Sequence, residues 1–441
     1  MNTLKPQLLL ICALSLAQMG EVLADSLEKN RFDLSGFATL GASLSDNDHL
    51  GYQSDLSVRD ASFDGSIDFS SLSVAGIQAK YRFSDKLSLV AQGVLKAANA
   101  ASDADSLRIA SVNYRPTPES QIRVGRFVPA IYNQTDSRYV GYAQTMVTPS
   151  QEFYGAIPLP FLDGVDLSYD VDLLTGVLNL NAWYGQSEFE LFYPIDNTPY
   201  TFEFDNFAGF ALTWQRNALT LRGSYSYTDQ KREAEIAQEG IAFSELLLNL
   251  NTAGAQDFRS AFSQTQGAYQ YGSVGLDYDD GTWRLESEIG KFYSDSVVSP
   301  GNESAYVTLS RTFDQWTLFT SFGIINSDTL GIELGEPQYF PDFELLTGLS
   351  IAEINAQADF VNRAIDTGYK QKSFSLGSKF WLSRNIALKG QYDFKVVDAR
   401  LSNLWERSRQ FDALASEPFD REAESGDENI NVFHLTLDVI F

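Results

Sequence analysis

Two histidines, His49 and His434, and no cysteine beyond residue 24 bound the chemistry open to this chain. A serine–histidine mechanism would have to use one of the two. His434 stands on the polar parity of its segment, His49 beside Asp46 and Asp48 in an acidic stretch, and no GxSxG, HExxH or GxxxxGKS pattern accompanies either. The expectation is therefore no enzyme and no cofactor, and residues 25–441, lacking cysteine, hold neither a disulfide framework nor a cysteine metal site. What the sequence does supply is fixed charge at alternate positions. Lys80, Arg82, Lys96, Arg123, Arg222, Arg284, Lys379, Lys389 and Lys395 all fall on the polar parity of their segments, with Asp205, Asp277, Glu286, Glu288, Asp393 and Asp438 among them. Residues two apart on a strand share a face, so these form charged rows. Rows of that kind sort hydrated solutes by charge and break no bonds.

The elements that carry the rows follow from composition and period. The chain has 441 residues, a net charge of −26 and 31 Phe, 21 Tyr and 6 Trp, too many aromatic side chains for a disordered polymer. Its negative sign excludes nucleic acid, whose binding depends on Lys and Arg displacing counterions. Residues 1–24 show a start bearing Lys5, an apolar run and Val22, Leu23 and Ala24 before Asp25, the layout of a cleaved secretory signal. Cys12 lies inside it, preceded by Ile11, which is not the small residue a lipoprotein signal would place there.

Beyond Asp25 the recurring signal is a period of two in segments near the length a tilted strand needs to cross a bilayer. In 431–441, Phe433, Leu435, Leu437, Val439 and Phe441 share one face, and His434, Thr436 and Asp438 the other. Sixteen such segments are predicted: 31–42, 72–83, 87–97, 107–115, 121–129, 164–172, 177–187, 201–215, 218–228, 268–279, 282–294, 304–313, 316–326, 373–383, 386–397 and 430–441. Tight connections such as 216–217, 280–281, 314–315 and 384–385 alternate with mostly long ones, among them 132–163, 230–267, 327–372 and 398–429. A soluble sandwich has no reason to put its long loops on one side. An antiparallel sheet in lipid must close on itself, because unpaired backbone groups there cost several kcal/mol each. The fold class expected is all-β: one transmembrane antiparallel barrel of 16 strands over 25–441, apolar outside and polar inside, wide enough for water.

The hairpin GIQAKYRFSDKLSLVAQ (76–92), the segment RVGRFVPA (123–130) and the final LTLDVIF carry a family likeness. It resembles a Gram-negative outer-membrane porin across its whole length after residue 24, and the RVGRF strand is similar to that of phosphate-selective and dicarboxylate-type porins. Terminal Phe441 resembles the signature by which such barrels are recognised for insertion. The resemblance implies a multi-pass protein of the cell outer membrane, contact with outer-membrane lipid and lipopolysaccharide, a homotrimer, and passive diffusion of small hydrophilic solutes and ions. A substrate-selective porin for anions or sugars, or a surface adhesin or receptor scaffold, are the alternatives.

By the same resemblance 131–163 is the constriction loop, although it lacks a PEFGG-type motif. It carries Asp136, Arg138 and Glu152 with Tyr139, Tyr142 and Tyr154. Asp136 and Glu152 facing Lys80, Arg82 and Arg123 would set up a transverse field, with Arg222, Arg284 and Lys379 further along the lumen wall. Arg126 falls on the outward parity. Helical periodicity is expected in 244–262 and 350–365, and 398–429 is rich in acids that divalent cations would bridge to surface lipid phosphates.

Overall fold

The computed structural model describes residues 31–441 except 59–62, 64, 98–105, 158, 193–198, 231–236, 239–240, 243–267, 295–299, 328–338, 357, 359–367, 403 and 408–425. The leader expected at 1–24 and the helix expected within 244–262 lie outside the described residues.

Sixteen long strands build the molecule: β1 (Phe32–Ser45), β2 (Val74–Arg82), β3 (Leu87–Lys96), β4 (Leu107–Tyr114), β5 (Ser120–Phe127), β6 (Leu162–Leu173), β7 (Gly176–Phe192) and β8 (Pro199–Arg216). Then follow β9 (Leu219–Gln230), β10 (Ala268–Asp279), β11 (Trp283–Ser294), β12 (Asn302–Phe313), β13 (Trp316–Ser327), β14 (Tyr369–Ser383), β15 (Ile386–Ser402) and β16 (Asp427–Ile440). Each pairs antiparallel with its sequence neighbours, and β16 returns to β1 in a register running from Phe37 opposite Ile440 to Ser45 opposite Val432. The ring has no open edge, the condition for a sheet in hydrocarbon. Phe441 completes the seam by exchanging backbone hydrogen bonds with Gly36 at 2.9 and 3.0 Å.

Hairpin chemistry sets the tight ends. Asn217, Asp314 and Gly281 adopt φ of 52°, 49° and 83°. Left-handed residues there give two-residue turns whose twist matches that of the strands.

Burial is inverted relative to a soluble protein. Val274 and Ile289 on the outer face are 64% and 63% exposed, whereas Lys389 and Asp438 on the inner face are 0% exposed. Apolar side chains turned outward with polar ones turned in is what a lipid surround requires. No helix among the described residues is long and apolar enough to cross a membrane.

Several strands outrun their predicted ends, all on the long-loop side: β1 reaches Ser45, β7 Phe192 and β15 Ser402. In the overhangs of β7 and β15 the parity switches, with Glu188, Glu190 and Asp398 on the alternation that is apolar in the segment below, so the predicted period breaks off there. Residues 351–356 are helical, as the periodicity predicted, and a further short helix spans Phe343–Thr347. Within the mouth of the barrel, Leu50–Tyr52 pairs with Trp405–Arg407. That small sheet feeds an apolar cluster of Leu50, Tyr52, Leu72, Val147, Ile325, Tyr369, Val397, Trp405, Ile430 and Val432, which ties the first and last long connections together.

Candidate functional site

Between β5 and β6 the chain runs across the barrel interior over residues 128–161, and its polar backbone is satisfied by the wall. Lys389 donates to the carbonyls of Gly141 and Met146 at 2.8 and 2.6 Å and pairs with Asp438 at 3.2 Å. Lys379 donates to the carbonyls of Tyr142 and Gln144 at 2.5 and 3.2 Å. Arg222 donates to the carbonyls of Ile131, at 3.1 Å, and Ala130. Glu288 accepts from the Asn133 backbone N–H at 3.0 Å and from the Tyr154 hydroxyl, and Glu286 accepts from Gln134 at 2.8 Å. A buried loop can persist only when its N–H and C=O groups find partners, and strands β9 to β16 supply them. The approach is close: a Cβ on Gly141 would stand 2.1 Å from Asp438 Oδ1, so only glycine fits there.

Apolar packing reinforces the polar clamps. Ile131, Tyr132, Phe153 and Tyr154 of the loop cluster with Phe127, Leu162, Trp183, Phe207, Tyr271 and Tyr306 of the wall. Glu152 opens the short helix Gln151–Tyr154 and meets Lys395 at 3.0 Å and Gln371 at 2.5 Å. Burial raises its carboxyl, but Lys395 and the Gln371 hydrogen bond outweigh that and lower it below the usual value.

What remains open lies against the other wall. A cavity of about 350 Å³ separates the loop from β2–β5, and Lys80, Arg108, Arg123, Asp136, Arg138 and Tyr139 are among its lining residues. Arg123 pairs with Asp166 at 2.8 Å. Arg138 donates to the carbonyls of Tyr154 and Ile157 at 2.5 and 3.2 Å and lies 3.4 Å from Asp55, which Lys96 also approaches at 3.4 Å. Burial raises the Asp55 carboxyl, but Lys96, Arg138 and the Ser57 hydrogen bonds hold it well below the usual carboxylate range.

The predicted site residues thus divide into two groups. Lys80, Arg123, Asp136 and Arg138 meet at the cavity. Arg222 and Lys379 lie under the loop and hold its carbonyls, while Arg284 is engaged by Asp277 and Glu286, each at 2.8 Å. Arg82 pairs with Asp33 at the short-turn end of its strand. Glu152, expected to face Lys80, Arg82 and Arg123, faces Lys395 instead, because the loop crosses the lumen and seats its helix on the far side. Arg126 stands on the outward parity, neutralised by Asp163 at 2.9 and 2.8 Å. Arg108 was not foreseen. The β3–β4 register shifts between Gln92 and Gly93, so an alternation counted back from inward-facing Ser111 points Arg108 the wrong way.

No protein-family model and no curated protein matches this chain. Solved structures do. OmpF of Salmonella typhi, in a complex with daunomycin, superposes with a TM-score of 0.51 at 12% identity, covering 93% of this chain and 97% of that one. Outer-membrane-expressed OmpT of Vibrio cholerae gives 0.50 at 12% identity over 94% and 99% of the two chains. The chain has a porin-like outer-membrane fold. At that identity the likeness speaks to architecture, and what the barrel does must be argued from its own interior.

Proposed function

We propose that this barrel is a passive outer-membrane channel for small hydrophilic solutes and ions, with loop 128–161 as its constriction. The observation that carries the reading is the polar, charged cavity left between that loop and β2–β5 inside a closed, lipid-facing ring. Selectivity is set where a passage is narrow and field lines are focused by low-dielectric walls, and here the narrow part carries four cations, Lys80, Arg108, Arg123 and Arg138, beside Asp136. That excess favours a preference for anions over an indifferent pore.

A channel without catalysis fits the histidine environment. His434 Nε2 lies 3.3 Å from Asp393, its ring packs 4.5 Å from that of Tyr52, and its Nδ1 has no hydrogen-bond partner, so among the described residues no hydroxyl is placed for activation by His434. A homotrimer is supported by the outer face of β1–β4, where small residues meet across strands: Ala38 opposite Ala75, Ala79 opposite Ala91 and Ala91 opposite Ala110. Flanked by exposed Ile77, Leu89, Leu95 and Val112, these alanines leave a shallow apolar strip on which a second barrel could pack.

Solute-driven swelling of liposomes holding the purified chain tests the reading. Small sugars and amino acids are expected to enter at rates falling steeply with size. Liposomes that exclude every solute, or a chain monodisperse in buffer without detergent, would contradict it.

A further inference from the structure

We propose that the outer wall of β10–β13 seats one amine-bearing phospholipid of the leaflet at the short-turn rim, its phosphodiester on Arg311 and an acyl chain in a groove nearer the bilayer centre. The proposal rests on the lipid-facing wall and not on conduction, so it stands apart from the channel reading.

Arg311 interrupts the apolar parity of β12. It follows Val307 and Leu309 on the outer face and is exposed there, opposite Trp283 of β11 and Leu318 of β13. Its guanidinium lies 4.9 Å from the Trp283 ring and 4.4 Å from the Phe313 ring, and among the described residues no carboxylate pairs with it. Aromatic side chains mark the level where a bilayer meets water. Here they continue sideways along the wall, with Trp316 packed 4.5 Å from Phe380. Ring contacts hold a guanidinium without satisfying its N–H donors, which match phosphate oxygens. At that level the acceptors within reach are water and lipid phosphate, and only phosphate also neutralises the charge.

The groove supplies the second half of the site. It opens about 450 Å³ on the same wall, toward the bilayer centre from Arg311. Ser287 stands opposite Val307 and Ala305 opposite Ile289, and these two small side chains lower the floor between Val274 of β10 and Phe322 of β13. From Val307 to Arg311 the strand runs about 13 Å, within the length of one extended acyl chain. The wall is separate from β1–β4, where a second barrel is proposed to pack.

The turns choose the head group. Asp314, exposed with a φ of 49°, begins the turn just beyond Arg311 and has no ion pair among the described residues. Asp280 stands in the neighbouring turn, where its carboxylate accepts from the Thr282 and Trp283 backbone N–H groups at 2.9 and 2.8 Å. From the bilayer centre outward the wall therefore presents apolar groove, cation and anion. That is the order of acyl chain, phosphate and amine in an aminophospholipid. A head group bearing only negative charge would meet those carboxylates with like sign.

Native mass spectrometry of the detergent-solubilised chain tests the proposal, with phosphatidylethanolamine, phosphatidylglycerol and diacylglycerol added in turn at equal concentration. One phosphatidylethanolamine per chain is expected to stay bound, at least threefold more than phosphatidylglycerol and tenfold more than diacylglycerol. Arg311→Gln should cut that retention at least fivefold, and Asp314→Asn should bring the two phospholipids to parity. Ala305→Trp, which fills the groove and leaves the cation in place, should lower retention of both at least threefold. Unchanged retention in an assembled Arg311→Gln or Ala305→Trp chain would overturn the proposal. So would diacylglycerol or phosphatidylglycerol held as firmly as phosphatidylethanolamine, or a preference that survives Asp314→Asn. A dimer of the chain that Ala305→Trp dissolves would overturn it as well, because a second copy and not a lipid would then cover the wall.

Discussion

Lys389 and Asp438 show what single residues do inside this barrel. Both are 0% exposed, and Lys389 also holds two loop carbonyls. Removing one partner of a buried pair leaves an uncompensated charge and costs about 3–5 kcal/mol. Lys389→Met is therefore expected to lower the thermal midpoint and, by freeing Gly141 and Met146, to give larger and noisier single-channel currents. Asp55 offers a pH test. Its folded-state carboxyl is depressed, so its stabilising effect is fully present above the unfolded value of about 3.9 and is lost as pH falls through the folded value. Melts of Asp55→Asn and the parent should differ at pH 7 and converge only in strong acid. At this scale the sequence was legible as parity: alternation alone puts Lys80, Arg123, Lys379 and Lys389 on the inner face. It could not say which of them a loop would cover, and the shifted β3–β4 register concealed Arg108.

In the proposed channel loop 128–161 is the element on which permeation would turn, and it is held by contacts from β9 to β16. Gly141→Val would drive a side chain into Asp438 and Thr39. It should displace the loop and raise conductance at least twofold with the barrel intact by circular dichroism; unchanged conductance would mean that the loop does not limit the passage. The β1–β16 seam is the second element to test. Deleting Phe441 removes its paired backbone bonds to Gly36, so the yield of assembled barrel in membranes is expected to fall severalfold. All sixteen strands could be read from the sequence because lipid imposes a strict two-residue contrast. The pairing of Leu50–Tyr52 with Trp405–Arg407 could not, since three-residue strands more than 350 positions apart carry no period.

For the whole molecule, strand number gave a wide ring and the structure fills most of it. Among the described residues the two apolar clusters and the clamped loop occupy the interior beside a cavity along β2–β5. How much of the interior stays open is thus decided by loop packing across long sequence separations, a property that period and composition do not encode. Salt should tune the preference: cations lining a wet passage are screened over about 8–10 Å at 0.1–0.15 M, so selectivity measured at 0.05 M KCl should exceed that at 1 M. The most direct measurement of the central claim is single-channel recording of the purified chain in a planar bilayer under a KCl gradient. Discrete steps, smaller than those of the Gly141→Val variant and with a reversal potential on the chloride side, are what a basic, loop-narrowed lumen predicts; an electrically silent bilayer, or large steps that the loop substitution leaves unchanged, would contradict it.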